Sequence, residues 1–285
     1  MSENQVITPE QLEEYMQGLY AKSKVAQKKF EREFTTNRRV DEVLRAIGMK
    51  TCEYAEELCT DALNETKMGN VNDKMSKLKG IVFGQWAICK GQNTVDYEDS
   101  PLEPGIKILY KPMGVIGCVM PSTNPVATII GNAMMALKGR NSVIIAPHPM
   151  SVRLSVKMVK LLREALESVG APADLIQCIS EEYASREATN LMMSTCDACI
   201  STGGAGRVKA AYSSGKPAFG VGQGNVQEIV DLGISDAELE RQATLCVAHR
   251  AKDNGVPCAG AQTVHIHAQQ LEQWKGYMQE HGAFL

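Results

Sequence analysis

The chain has 285 residues, 44% of them hydrophobic and 22% charged, enough to bury a large core in one domain or two. A formal net charge of -3, no basic run and only 5% aromatic residues argue against a nucleic-acid partner. No apolar stretch reaches the ~20 residues of a membrane span, the first residues lack the layout of a signal peptide, and the nine cysteines are not spaced like a disulfide framework. A soluble, cytoplasmic protein with reduced thiols and no membrane partner is expected.

Residues 9 to about 98 read as helices. Thr8-Pro9-Glu10-Gln11 combines an N-cap, a proline at the first helical position and an acidic first turn. Leu12, Tyr15, Met16, Leu19 and Tyr20 then recur at helical spacing, with Lys22, Lys24, Lys28 and Lys29 on the exposed face. Amphipathic helices are predicted again at 40–63 and 75–90, and the three together read as a layer covering a sheet. From Lys107 onward short apolar runs alternate with helical stretches. The pattern predicts strands at 115–120, 142–146, 175–179, 197–201 and 227–231. Between them it predicts helices at 125–138, 151–169, 184–193, from near Gly204, and at 235–249. Such alternation with short loops predicts an α/β fold: a Rossmann-like parallel sheet with helices on both faces. A last strand is expected at 263–267.

Ligands of open parallel sheets collect beyond the C-terminal ends of the strands. Three of those ends are rich in turn residues: Pro121-Ser122-Thr123-Asn124-Pro125, Ala146-Pro147-His148-Pro149, and Ser201-Thr202-Gly203-Gly204-Ala205-Gly206. The last puts glycines at a strand-to-helix turn, where bare amides and the positive helix end can face phosphate, although it departs from the G-x-G-x-x-G spacing and glycine at a turn is commonly structural. Downstream lies Asp253-Asn254-Gly255-Val256-Pro257-Cys258-Ala259-Gly260-Ala261-Gln262, in which a cysteine emerges just past an Asn-Gly turn signal and a proline. A thiol so presented is a candidate nucleophile, while a free cysteine is more often a small buried hydrophobe. Cys196-Asp197-Ala198-Cys199 and His265-Ile266-His267 have zinc-like spacings, but Cys199 falls within an apolar strand and no metal is assigned.

These stretches, in this order, resemble the aldehyde dehydrogenase superfamily. The resemblance rests on Lys111-Pro112-Met113-Gly114-Val115-Ile116-Gly117, the three strand-end turns, Gly220-Val221-Gly222-Gln223-Gly224-Asn225 and Asp253-Asn254-Gly255-Val256-Pro257-Cys258. It is nearest the CoA-acylating branch, and Asn132-Ala133-Met134, Lys138-Gly139-Arg140-Asn141 and residues 203–215 look most like the succinate-semialdehyde group. The resemblance implies the N-terminal part of the aldehyde dehydrogenase fold, with helices and an NAD(P)-binding domain over 1–250 and the start of a catalytic domain over 251–285. It implies Cys258 as nucleophile and Asn124 as oxyanion donor. Pro121, Ser122, Thr123, His148, Pro149, Thr202, Gly203, Gly204, Val221 and Gly222 would be contacts to NAD or NADP. CoA is the implied co-substrate, since Gly220 stands where hydrolytic members carry a glutamate base, and no residue decides between NAD and NADP.

The partners expected are a small aldehyde and CoA, with a homo-oligomer in the full-length protein. A microcompartment shell is a further partner that the basic first helix could dock to. Family members usually run well over 400 residues, so most of the catalytic domain would lie outside this chain. Alternatively the chain is a non-catalytic nucleotide-binding remnant or half of a split enzyme. Gln223, Pro257 and 259–262 also depart from the acylating pattern. The strand at 263–267 would then have no sheet to join, leaving an apolar edge.

Overall fold

The structure, a computed structural model, describes residues 7–284. Helix α1 (Pro9–Glu33) starts at the expected cap, where the Thr8 hydroxyl accepts from the Gln11 amide and the Gln11 side chain accepts from the Thr8 amide. The single helix predicted at 40–63 is two, α2 (Asn37–Glu53) and α3 (Ala55–Thr66), interrupted at Tyr54. Hydrophobic spacing could not reveal the break, because the buried positions Ile47, Thr51, Ala55 and Leu58 keep helical register straight through it. Helix α4 (Val71–Cys89) is capped by Asn70, whose side chain accepts from the Asp73 amide. A short antiparallel hairpin, β1 (Tyr97–Asp99) and β2 (Lys107–Leu109), follows.

The main sheet is built from β3 (Val115–Val119), α5 (Pro125–Lys138), β4 (Ser142–Ala146), α6 (Val152–Ser168), β5 (Ile176–Cys178), α7 (Arg186–Thr195), β6 (Ala198–Thr202), α8 (Ala205–Tyr212) and β7 (Ala218–Val221). Its order is β5-β4-β3-β6-β7 and every pair is parallel. The fifth strand is therefore β7 and not the predicted 227–231. That strand exists as β8 (Val226–Val230), but it pairs with β9 (Ala261–Ile266) in a separate two-stranded parallel sheet. Four residues long, with a glycine inside and Phe219 and Val221 exposed, β7 carries none of the apolar density that marks a buried strand. The 263–267 strand likewise finds a partner, contrary to expectation. Helices α9 (Asp236–Ala251) and α10 (Leu271–Glu280) cover the β8–β9 pair, with Leu239, Ala243, Cys246, Ala261 and Trp274 as its core.

Side-chain alternation in the central strands divides the larger core in two. Ile116, Cys118, Val143 and Ile145 face α5, α6 and, beyond them, α2 to α4; Val115, Val119, Ile144 and Ala146 face α1, α7 and α8. The N-terminal helices thus do not form one layer, because α1 spans both cores, with Ala26 and Phe30 in the first and Met16 in the second. Asp197, at the head of β6, fixes the helix by accepting from Lys24 (2.7 Å), Tyr20 (3.0 Å) and the Val115 amide (2.8 Å). Lys24, expected on a solvated face, is therefore committed to the fold. Burial would raise the Asp197 carboxyl, but these donors outweigh it and hold the group below its ordinary range.

Candidate active site

The chain runs β3 to β4 to β5 on one side and returns to β6 and β7 on the other, so the strand order reverses beside β3. Helices leave opposite faces at such a switch point, and a crevice opens beyond the strand ends. A cleft of about 240 Å³ lies there. Pro121, Ser122 and Thr123 after β3, Pro147, His148 and Pro149 after β4, and Thr202, Gly203 and Gly204 at the end of β6 line it, together with Gly222, Gln223 and Cys258. Of the expected cofactor contacts, only Val221 lies outside this lining; it ends β7, half exposed.

The first amides of α8 have no partner within the helix and open onto the Gly203–Gly204 turn, where a side chain on Gly204 would meet nothing. None of the described lining residues is Asp or Glu. Amides at a helix start and the absence of carboxylates fit an anionic dinucleotide. The Nδ1 of His148 accepts from the Met150 amide at 3.2 Å, which leaves Nε2 to carry the proton of the neutral ring. Burial, and after it the charge of Arg207, holds that ring below the usual histidine range, so it is neutral at pH 7.

Cys258 reaches the cleft through an uncommon backbone. Asp253, Asn254 and Gly255 are left-handed in succession, with φ of 48°, 55° and 75°. Asn and Asp tolerate that region better than most residues, and glycine enters it freely. The bend is clamped to the start of α4. The Asp253 carboxylate, fully buried, accepts from the Asn70 amide (2.8 Å) and pairs with Lys74 (3.1 Å) and Lys77 (2.9 Å). The Asp253 amide donates to Asp73 at 2.8 Å, and Asn254 donates to the Gly69 carbonyl at 3.1 Å. From the other side Gly224 lies against the Cys258 backbone, and a Cβ there would collide with the Cys258 carbonyl. Cys258 itself is exposed, the one exposed thiol of the nine.

Asn124 is not among the residues lining this cleft. It caps α5 without using its side chain in the cap, and it lines a separate small cavity that it shares with Lys74 and Cys59. Lys74 thus touches both the Asp253 clamp and the Asn124 cavity. Pattern reading missed this clamp, since nothing local couples residues 74 and 253. It also missed Thr189 and Arg207, which line the cleft from α7 and α8. A cation in the first turn after a double glycine was the available signal for Arg207. Cys196 and Cys199 are both buried, with thiols raised by burial.

Fold and site together define an open parallel α/β domain with a free thiol at the mouth of its switch-point crevice. Residues 11–282 match the aldehyde dehydrogenase family, and the chain belongs to it. Over 266 residues it is 40% identical to the succinate-semialdehyde dehydrogenase (acetylating) of Clostridium kluyveri, an alignment taking in 93% of this chain and 57% of that protein. It superposes on an acetylating aldehyde dehydrogenase from Geobacillus thermoglucosidasius with a TM-score of 0.88 and 32% identity, covering 96% of this chain and 60% of the other. A propionaldehyde dehydrogenase of Rhodopseudomonas palustris, solved with bound CoA and an acylated cysteine, matches with a TM-score of 0.81 and 27% identity over 94% of this chain and 60% of that one. This chain therefore spans little more than half the length of the curated relative. No described helix is long and apolar enough to cross a membrane.

Proposed function

We propose that the protein is a CoA-acylating aldehyde dehydrogenase, converting an aldehyde, CoA and NAD(P)+ to an acyl-CoA, NAD(P)H and a proton. The observation that carries this reading is the single exposed thiol, Cys258, in one cleft with the three strand-end turns. In the proposed reaction Cys258 Sγ bonds to the aldehyde carbon. A backbone amide at Cys258 is assigned to the oxygen that gains charge, a role worth roughly 3 kcal/mol per donor where it has been measured. The Asn124 amide is proposed as the second donor, on the resemblance alone, since that residue lines the separate cavity and not this cleft. Bound NAD(P)+ supplies a hydride acceptor and CoA supplies the thiol that takes the acyl group. Once the aldehyde hydrogen has left as hydride, Cys258 holds the carbon as a thioester. Cys258 is released as thiolate when the carbon–sulfur bond to CoA replaces its own.

Thiol rather than water as the acyl acceptor is supported at Gly220. A Cβ there would press into Val208 and Tyr212, so the glutamate of hydrolytic members has no room in this packing, and among its described residues the cleft offers no carboxylate in its place. The turns at 121–123, 147–149 and 202–204 with Gly222 are assigned to the dinucleotide, within a binding region we take as 1–250, with 251–285 opening the catalytic region. The Clostridium kluyveri relative favours a C4 semialdehyde as substrate. A cytoplasmic homo-oligomer completes the reading. Any docking of α1 to a protein shell would have to do without the Lys24 charge, which is already paired with Asp197.

The test is NAD(P)H formation from succinate semialdehyde, with and without CoA, by these 285 residues and by any longer form of the protein. Turnover that requires CoA, in either form, is the expected result. Acid production without CoA in both forms would overturn it in favour of hydrolysis.

A further inference from the structure

The crevice wall holds one charge that the proposed chemistry leaves unused. Of the described residues lining the cleft, Arg207 is the only one with a permanently charged side chain. Its stem packs on Gly203, as a Cβ built on that glycine would lie 3.4 Å from Arg207 Cβ. Its Nη1 is shielded from solvent and has no hydrogen-bond partner, and among the described residues no carboxylate pairs with it. A buried guanidinium nitrogen left without an acceptor is costly unless a ligand supplies one.

Its position says which ligand. In dinucleotide-binding units the residue at the end of the second strand meets the adenosine ribose: a carboxylate there accepts from a free 2′-hydroxyl, whereas a nearby arginine takes a ribose phosphate. In this chain the end of the second strand, β4, leads to His148, and among the described residues the cleft has no Asp or Glu to accept from a hydroxyl. The Arg207 charge is close enough to His148 to be felt by its ring. A planar guanidinium matches a phosphate with two parallel hydrogen bonds, and a dianionic monoester gains more from it than a diester-like pyrophosphate does.

We infer that Arg207 recognises a phosphate monoester on the ribose of an adenosine, the group shared by the 2′-phosphate of NADP and the 3′-phosphate of CoA. The inference rests on the nucleotide-binding reading above. It adds that the cleft discriminates against the unphosphorylated ribose.

Calorimetric titration of the 285-residue chain with NAD+, NADP+, CoA and dephospho-CoA tests it, alongside Arg207→Gln and Arg207→Lys proteins checked for an unchanged thermal melt. NADP+ over NAD+, or CoA over dephospho-CoA, should be favoured roughly tenfold or more, and the preferred pair names the source of the phosphate. Arg207→Gln should abolish that preference while leaving the unphosphorylated partner's affinity within about twofold, and Arg207→Lys should retain part of it. Equal affinities within both pairs would overturn the inference while leaving the dinucleotide reading intact. So would an Arg207→Gln protein that loses NAD+ and NADP+ equally, which would put the arginine on the pyrophosphate. No binding of any of the four would sink both.

Discussion

Burial pushes the thiols of Cys59, Cys118 and Cys246 up to about 11, 12 and 12, and raises those of Cys52, Cys89, Cys178, Cys196 and Cys199 as well. Raised pKa and lost access both suppress the thiolate that alkylating agents attack. Cys258 is open to reagent, being exposed at the mouth of the cleft. Iodoacetamide at pH 7.5 to 8 (roughly one unit below a free thiol) is therefore expected to label Cys258 at least tenfold faster than any other cysteine, read by peptide mass spectrometry. NAD(P)+ should change that rate if the nucleotide lies beside the sulfur. Labelling spread evenly over the nine would remove Cys258 from the chemistry. At this scale the sequence was legible, because a turn signal followed by proline and cysteine is local. Arg207 was not, since its missing acceptor is a property of the packed cleft.

The segment 253–258 owes its shape to an element far away in the chain, the first turns of α4. Two lysines and a backbone amide converge on the Asp253 carboxylate, and Asn254 and the Asp253 amide add bonds to Gly69 and Asp73. Removing one partner of a buried charge cluster leaves the others uncompensated, so Asp253→Ala should cost about 3–5 kcal/mol, measured by urea unfolding. Because the clamp holds the bend that presents Cys258, the same substitution should also change the Cys258 alkylation rate under conditions where the protein remains folded. A destabilised variant with an unaltered rate would mean that the clamp serves the fold alone. Hydrophobic periodicity located most helices and strands to within a few residues, since burial of one face imposes it. It failed at Tyr54 and at β7, where the apolar pattern either ran on unbroken or never formed.

The whole molecule joins the five-stranded sheet to a smaller β8–β9 unit with its own core. Among the described strands β8 and β9 pair only with each other, so each keeps one open edge. Ile229 on β8 is 83% exposed, and Tyr212, Phe219 and Val221 lie exposed on α8 and β7. Open strand edges beside exposed apolar side chains favour pairing between chains. Sedimentation velocity of these 285 residues should show association that rises with concentration, and Ile229→Lys should weaken it severalfold. A monomer at every concentration would show that these edges are inert.

By itself the sequence determined the parallel α/β class, the turns at the strand ends and the candidate nucleophile, because alternation, glycine and proline act through neighbours along the chain. Only the tertiary structure decided that β8 leaves the main sheet for β9, that α1 spans both cores, and that Asp253 is buried between Lys74 and Lys77. Each of these joins residues distant in sequence, and no local pattern encodes which strand edge, sheet face or buried charge another segment will reach.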